Sequence, residues 1–328
     1  MVTLNEKILH DEALLFLDLL FSDIDKNLEI PRHWDIDHLC YRTESVEQYE
    51  HIKKIFNSFS ALLIESPVNG RMIATYKLNN PICFRGWKIN LIEIPSPKLG
   101  KKTSLGFEHI EMVCDEDLFE LQKKYAHLNL DTGGLKKSFN KELEIIFGER
   151  NLKFHNYSLE SVIRLEKKSH LHKILSSVVL TSLFQNFNAL LVGTPPLDLD
   201  VENSDIDIIL KADADELLHL LQSHITSEFI KTANNTFNFE LHSVPIQIYL
   251  CKEKPTSQQS YQHFQAEEKI LKYCRSLDLA NLKKLRECGV KTEKAFTQIL
   301  KLHGDEYETM SNLNKIPISD LDGLLNSN

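Results

Sequence analysis

Two aspartates in the second half of the chain, Asp205 and Asp207, have the type and spacing needed to hold a divalent cation. Successive side chains of a β-strand alternate between faces, so both carboxylates project from one face of the apolar run that follows Ser204. Adjacent carboxylates repel each other, and a cation between them removes that repulsion. The preceding pair Gly193-Thr194 is typical of a turn whose backbone N–H groups approach a phosphate. Together these residues indicate phosphoryl or nucleotidyl transfer, although an Asp-x-Asp pair alone also occurs where a strand simply begins with surface carboxylates.

Two apolar strands are predicted to position these residues, one at 190–192 and the other at 206–210. Residues after Gln265 are predicted to be helical, with a loose Asn-rich tail past Asn312. The order of strand, Gly-Thr, spacer and Asp-x-Asp resembles the polymerase-beta-like nucleotidyltransferase superfamily. The resemblance covers roughly residues 175–311.

That resemblance implies an α/β domain with C-terminal helices. Its activity would be transfer of a nucleoside monophosphate from an NTP to a hydroxyl of a small molecule or a protein. It implies Mg²⁺ or Mn²⁺ bound by Asp205 and Asp207. The implied nucleotide contacts are Gly193, Thr194, Ser204 and Lys291. Lys291 is equally well explained as a solvated cation at a helix end.

The third carboxylate of that superfamily is absent from its expected position, where this chain has Gln247. An amide binds a divalent cation far more weakly than a carboxylate does. A hairpin is predicted to turn at His242-Ser243. If Asn238 pairs with Gln247 in that hairpin, Glu240 lies on the same face, and Glu240 is therefore predicted to be the third catalytic residue beside the two aspartates.

The first half carries a different pattern, in which an acid, a histidine and an apolar residue occur at 37–39 and again at 108–110. Each copy begins a strand that is followed by a helix and further strands, so the same module is predicted twice. This half resembles the vicinal oxygen chelate superfamily, and within it the YecM family of bacterial proteins. The resemblance implies two paired βαβββ modules. The matching stretches are 37–38, 69–71, 92–95, 106–111 and 153–155.

The resemblance implies a metal cup with one ligand from the first and one from the last strand of each module. These ligands are His38, Glu93, His109 and His155. Imidazole and carboxylate groups suit zinc, nickel, iron(II) or manganese, so a transition metal such as Zn²⁺ is predicted. Glu111 lies on the strand face of His109 and is predicted either to bind the metal or to act as a base. A single histidine on an apolar strand is more often a structural residue, so only the joint placement of the four favours a metal.

Composition and charge limit the remaining possibilities. The length of 328 residues predicts two domains, 1–165 and 170–328, joined by a polar helical connector at 158–173. Contents of 42% hydrophobic and 26% charged residues are ordinary for a soluble globular protein. The two resemblances together imply the α+β class. The net charge of -9 argues against broad nucleic-acid binding. None of the six cysteines forms a Cys-x-x-Cys pair, and no signal peptide or membrane-spanning run is evident. We therefore predict a cytoplasmic protein with no membrane partner.

Three functional hypotheses follow. The first is a metal-dependent nucleotidyltransferase that uses an NTP and an unidentified acceptor, fused to a metal-binding domain. The second is a metal-dependent isomerase, lyase or dioxygenase in the N-terminal cup, with a regulatory C-terminal domain. The third is a binding protein in which both sites have lost catalysis. The second hypothesis requires near-stoichiometric transition metal in the first domain. Nucleotide binding without turnover would favour the third hypothesis.

Overall fold

The computed structural model describes residues 4–98, 100, 103–202, 204–226 and 230–326. The protein is of the α+β class, as predicted, with one eight-stranded and one five-stranded sheet. The chain forms two compact units. The first unit contains 1–114, 121–134 and 142–155, and the second contains 115–120, 135–141 and 156–328. The domain boundary predicted between residues 165 and 170 stays a prediction.

The eight-stranded sheet belongs to the first unit, and its chain order repeats one pattern twice. After helix α1 (Glu6–Asn27), the elements are β1 (Asp35–Arg42), α2 (Val46–Phe56), β2 (Ser60–Val68), β3 (Arg71–Phe84), β4 (Trp87–Pro95), β5 (Gly106–Val113), α3 (Leu118–Lys124), β6 (Leu130–Asp131), β7 (Leu143–Phe147) and β8 (Arg150–His155). The sheet order is β2-β3-β4-β1-β5-β8-β7-β6. Each half therefore reads strand, helix and three strands.

The two halves of this sheet meet along β1 and β5, which pair antiparallel. β1 pairs with β4 in parallel, and β5 pairs with β8 in parallel. Strands buried on both faces read as nearly continuous apolar runs, and β1 is such a strand, with seven of its eight residues buried. Helix α1 begins where the side chain of Asn5 accepts a hydrogen bond from the amide of Ile8, and it buries one apolar face.

The β1–β5 ladder is interrupted at two places that matter for the site. The register shifts between Ile36 and His38, which leaves Asp37 as an extra residue on β1. It shifts again where Cys40 and Tyr41 oppose His109 and Phe107, which leaves Glu108 as an extra residue on β5. A β-bulge of this kind re-aims the side chains beside it.

The second unit is built on the five-stranded sheet, in the order β11-β12-β13-β10-β9, and on helices. Its first elements are α4 (Leu159–Lys167), α5 (Ser169–Leu175), α6 (Val178–Asn186), β9 (Leu190–Val192), β10 (Ile206–Leu210) and α7 (Ala214–Gln222). The remainder are β11 (Lys231–Ala233), β12 (Thr236–Leu241), β13 (Val244–Leu250), α8 (Gln259–Tyr273), α9 (Leu279–Glu287), α10 (Thr292–Ile299), α11 (Glu306–Lys315) and α12 (Ile318–Asn326).

Two details of the second unit test the sequence predictions. β12 and β13 form the expected hairpin, and its two turn residues, His242 and Ser243, have φ values of 51° and 64°. Positive φ at both positions is the geometry of the type I′ turn that suits the twist of a hairpin. The prediction of a loose tail past Asn312 is wrong for the residues up to 326. There, apolar side chains at helical spacing, Leu321 and Leu325 among them, are buried and outweigh the polar composition.

No helix in the described ranges is both long enough and apolar enough to span a bilayer.

The position of α4 leads to a prediction about the boundary. The hydroxyl of Ser158, just before α4, donates to the carboxylate of Glu268 on α8 at 2.6 Å, and Ser161 donates to the same oxygen. All three side chains are buried. A fragment 170–328 would leave this carboxylate without those donors. We expect fragment 156–328 to be more stable than 170–328 by about 1–3 kcal/mol in urea denaturation. Equal midpoints would show that α4 contributes nothing to the second unit.

Candidate metal centre and candidate nucleotide cleft

The side chains predicted as cup ligands converge around one carboxylate, that of Glu111 on β5. Its Oε1 lies 3.6 Å from Nε2 of His38 and 3.2 Å from Nε2 of His109, and its Oε2 lies 3.5 Å from Nε2 of His155. Glu93 Oε2 lies 3.7 Å from the same nitrogen of His38. Two ligand atoms on a tetrahedral zinc ion, each about 2.1 Å from the metal, are roughly 3.4 Å apart. Ligand atoms of His38, Glu93 and Glu111 lie within 4.8 Å of one another, a spacing that suits a shared transition-metal ion.

Each of the two first-strand histidines is held by the acidic residue that precedes it. His38 Nδ1 is 2.8 Å from Asp37 Oδ2, and His109 Nδ1 is 2.9 Å from Glu108 Oε2. Consecutive side chains of a regular strand point to opposite faces, so these contacts depend on the two bulges. A carboxylate on one ring nitrogen orients the ring and raises the basicity of the other nitrogen, an arrangement that commonly supports metal-binding histidines. Nε2 of His38 is buried and has no hydrogen-bond partner among the described residues.

The charge of Glu111 is maintained by its neighbours. Burial alone would raise its pKa, but Lys153 and then His38 hold the pKa well below its usual range. Lys153 Nζ is 3.2 Å from Glu111 Oε1. Burial likewise opposes ionisation of Glu108, but hydrogen bonds from His109 and Arg42 lower its pKa to about 2. The site thus contains a buried carboxylate whose charge is balanced by the adjacent ammonium of Lys153.

Sequence reasoning recognised the acid–histidine repeat but missed three features of this centre. It gave Glu111 a secondary role, although Glu111 joins the other groups. It did not predict Lys153, which shares a strand face with His155 because the two are two residues apart on β8. It also missed Cys40, whose sulfur lies within 4.8 Å of ligand atoms of Glu108 and His109. A sulfur ligand favours zinc or iron over magnesium or calcium.

The second candidate site is a cleft of about 450 Å³ in the second unit. Five predicted residues, Gly193, Thr194, Ser204, Asp205 and Asp207, line it together with Lys291. Ile206 and Ile208 are buried beneath the sheet face that carries the two aspartates, as the alternating pattern predicted. Lys291 directly precedes α10, and its exposed Nζ lies 3.2 Å from the hydroxyl of Tyr307. Both interpretations of Lys291 remain compatible with that position.

Gly193 is placed where another residue type would interfere with Asp207. Its φ is 80°, a conformation that residues with a Cβ rarely adopt. A Cβ added there would lie 3.1 Å from Oδ2 of Asp207. The backbone turn and the carboxylate are therefore adjacent, as a site for a metal-bound phosphate requires.

Ionisation of Asp207 destabilises the folded protein. Burial, and then repulsion from Asp205, raise its pKa to about 7. In the unfolded chain the pKa of an aspartate is about 3.9. The contribution of Asp207 to stability is therefore fully present below about pH 4 and is lost as the pH rises through 7. Paired acids of this kind fit a site that binds a divalent cation.

This linkage predicts that Asp207→Asn stabilises the protein at high pH. In the presence of EDTA, we expect the variant to gain about 1–3 kcal/mol in free energy of unfolding at pH 8 and almost nothing at pH 4. Urea denaturation at both pH values measures the difference. Asp205→Asn removes only the smaller cause and should give a smaller gain. A gain that does not depend on pH would contradict the raised pKa.

The two residues considered for the third carboxylate lie in different surroundings. Gln247 is paired directly with Asp207 across the parallel β10–β13 ladder. Its amide nitrogen donates to Asn238 at 2.7 Å, which confirms the predicted Asn238–Gln247 pairing, and its oxygen accepts from Tyr249. Glu240 pairs with Pro245, two pairs nearer the turn of the hairpin, and its side chain is exposed. The structure does not bring Glu240 into the lining of the cleft.

Helices α8, α9 and α10 form the opposite wall of the cleft, and sequence reasoning assigned no role to most of its polar residues. His263 and Glu267 of α8, Arg286 of α9 and Glu293 of α10 line it. Nδ1 of His263 is 3.1 Å from Glu293, and Nε2 is 2.9 Å from the backbone oxygen of Tyr307. Residues four apart on a helix share a face, so the His263–Glu267 spacing was the available signal.

Two family profiles match separate parts of the chain. The profile of the YecM protein family matches residues 6–146, and that of a domain of unknown function, DUF4269, matches residues 173–313. Protein YecM of Escherichia coli (strain K12) is 28% identical over 148 residues, which are 40% of this chain and 79% of that protein. An uncharacterized protein of Haemophilus influenzae is 35% identical over 81 residues, which are 25% of this chain and 42% of its own length.

One solved structure, titled "Structural Genomics, Protein EC4020", is 25% identical, with a TM-score of 0.42, and covers 50% of this chain and 97% of its own. These comparisons do not support the nucleotidyltransferase resemblance of the C-terminal half, which stays a prediction. The N-terminal half is similar to YecM proteins, as the sequence indicated, and the C-terminal half is similar to a family without an assigned function.

Proposed function

We propose that the C-terminal cleft binds an NTP together with Mg²⁺ or Mn²⁺ and transfers a nucleoside monophosphate to a hydroxyl group. The observation that carries this proposal is the close approach of Gly193 to Asp207, in a cleft that Asp205 also lines. The closely spaced acids fit a divalent cation, and the turn at Gly193 leaves room that a Cβ would occupy.

The residues of the cleft divide into two roles. Asp205 and Asp207 would hold the metal, which would neutralise charge on the phosphates. Gly193, Thr194 and Ser204 would contact the phosphates through backbone and hydroxyl groups. Lys291, at the rim, would add a positive charge.

The test is direct measurement of nucleotide binding by the whole protein. ATP, GTP, CTP and UTP are titrated by calorimetry with Mg²⁺, with Mn²⁺ and with EDTA. We expect at least one nucleotide to bind only in the presence of metal. Equal binding in EDTA, or no binding of any of the four, would contradict the proposal. Binding without release of pyrophosphate would favour a binding protein that has lost catalysis.

A second function is favoured by the two acid–histidine pairs of the N-terminal cup. Both pairs direct an imidazole Nε2 toward Glu111, and Glu93 and His155 complete the group. A transition metal bound there would polarise a carbonyl or an enediolate, the chemistry of an isomerase, lyase or dioxygenase. Near-stoichiometric zinc, iron, nickel or manganese in the purified protein supports this function, and a content below about 0.1 equivalents after metal addition contradicts it.

We further propose a cytoplasmic location. The six cysteines are free thiols, three of them buried, which suits a reducing compartment.

A further inference from the structure

Helix α8 is buried along most of its length, so its polar side chains need partners inside the protein. Gln265 donates to a backbone oxygen at 2.9 Å, Lys269 donates to another at 2.6 Å, and Glu268 accepts from a serine hydroxyl at 2.6 Å. Both ring nitrogens of His263 also have partners. Glu267 differs from these residues. It is 3% exposed, and its Oε1 has no hydrogen-bond partner in the part of the chain that the structure describes.

A second polar atom in the same region is also unsatisfied. Arg286 of α9 uses one terminal nitrogen to bind the backbone oxygen of Val290 at 2.6 Å. Its Nε is buried and has no hydrogen-bond partner among the residues described. Arg286 and Glu267 influence each other electrostatically and both line the cleft, yet they form no ion pair with each other.

These two atoms define what a ligand at this end of the cleft must offer. The guanidinium Nε–H donates, and the carboxylate accepts. A hydroxyl group on a ligand can serve either of them, because its oxygen accepts and its O–H donates. A buried polar group without a partner costs the folded protein about 1–3 kcal/mol. A ligand that supplies both partners would remove this cost.

We propose that Glu267 and Arg286 form the acceptor subsite of the cleft, where Glu267 takes the proton from the attacking hydroxyl. The inference rests on the proposed nucleotidyl transfer and deepens it. The acid that is absent at Gln247 on the sheet is supplied from helix α8 on the opposite wall.

The step balances with groups named by class. The O–H bond of the acceptor breaks, and its proton passes to the carboxylate of Glu267. The freed electron pair on oxygen forms a bond to the α-phosphorus of the NTP. The bond from that phosphorus to the oxygen bridging to the β-phosphate breaks, and pyrophosphate leaves with that electron pair. Arg286 Nε–H donates to the acceptor and positions it.

The surroundings of Glu267 suit a base. Burial, and then Glu293, raise its pKa well above the usual range, and Arg286 opposes that rise. A carboxylate with a raised pKa is a stronger base once it is ionised. The other titratable or charged groups that line the cleft are His263 on the same helix, Lys291 before α10, and Asp205, Asp207, Tyr249 and Cys251 on the sheet side.

The experiment compares Glu267→Gln with Glu287→Gln in the full chain. Glu287 is an exposed acid on α9 that does not line the cleft. Binding of Mg²⁺–ATP is measured by calorimetry, and release of pyrophosphate is measured with glycerol and with water as probe acceptors. We expect Glu267→Gln to bind within about twofold of wild type but to release pyrophosphate about 100-fold more slowly. Glu287→Gln should match wild type in both.

Two further measurements separate a chemical role from a structural one. Wild-type release should rise with pH, whereas release by Glu267→Gln should vary little with pH. Glu267→Asp, which keeps the acid, should recover part of the rate and of the pH dependence. Wild-type rates in Glu267→Gln would overturn the subsite and leave the proposed function intact. Binding without release to either acceptor in wild type would also overturn it. Failure of wild type to bind Mg²⁺–ATP would overturn the proposed function itself.

Discussion

Replacing Asp205 and Asp207 together with asparagine should abolish metal-dependent nucleotide binding. The loss in affinity should be about 100-fold or more, because a divalent cation and the triphosphate it carries would lose both anionic ligands. Calorimetric titration of the tightest-binding NTP in Mg²⁺ measures the effect. Thermal melting of the apoprotein checks that the variant folds, and it should melt no lower than wild type, since removing the repulsion between the acids is stabilising.

The control for this double variant is Glu216→Gln with Glu253→Gln. Both are exposed acids of the second unit outside the cleft lining. The control therefore loses two negative charges, as the double aspartate variant does, without changing the cleft. Binding by the control should equal that of wild type. If the double aspartate variant binds the nucleotide as tightly as the control does, the cleft is not the nucleotide site.

Glu111→Gln should remove transition metal from the N-terminal cup. Glu111 lies within 3.6 Å of three imidazoles, and no other acid among the described residues joins all of them. We expect the metal content after incubation with zinc and desalting to fall by about tenfold or more, because loss of supporting or direct ligands commonly costs 10–100-fold in affinity. Elemental analysis of the whole protein measures the change.

Lys153 complicates that experiment and also provides its control. Removing the carboxylate leaves a buried ammonium without its partner, which is strongly destabilising. Glu111→Gln is therefore combined with Lys153→Gln and compared with Lys153→Gln alone. The single variant should keep or increase metal affinity, since it removes a competing cation. If the single and the double variant carry equal amounts of metal, Glu111 is not part of the site.

The sequence was sufficient to predict the elements that carry the sites. Alternation placed Asp205 and Asp207 on one face, and the repeated acid–histidine pattern identified both first strands of the eight-stranded sheet. Local periodicity determines these features, so they can be deduced without knowledge of the packing. The Asn238–Gln247 pairing followed for the same reason, because a two-residue turn at His242-Ser243 fixes the register.

The residues that were missed depend on packing between distant segments. Glu267 and Arg286 lie on separate helices, and only the tertiary arrangement shows that each has a buried atom with no hydrogen-bond partner among the described residues. The position of Glu240 could not be predicted because strand register alone does not say whether a side chain turns toward a cleft or toward solvent. Alternation predicts that Asp37 and His38 lie on opposite faces, and only the bulge brings them into contact.

A metal bound by the proposed cup would couple its affinity to folding of the whole eight-stranded sheet, because the ligands meet at the junction of β1 and β5. His38 and Glu93 come from one half of that sheet, whereas His109, Glu111 and His155 come from the other. Neither half by itself carries the complete set, so only the fully assembled sheet would offer all the proposed ligands to an ion. A ligand present at 100 times its dissociation constant would stabilise that sheet by about 2.7 kcal/mol. Depletion of the metal in a cell would then shorten the lifetime of the protein even where every covalent bond is intact.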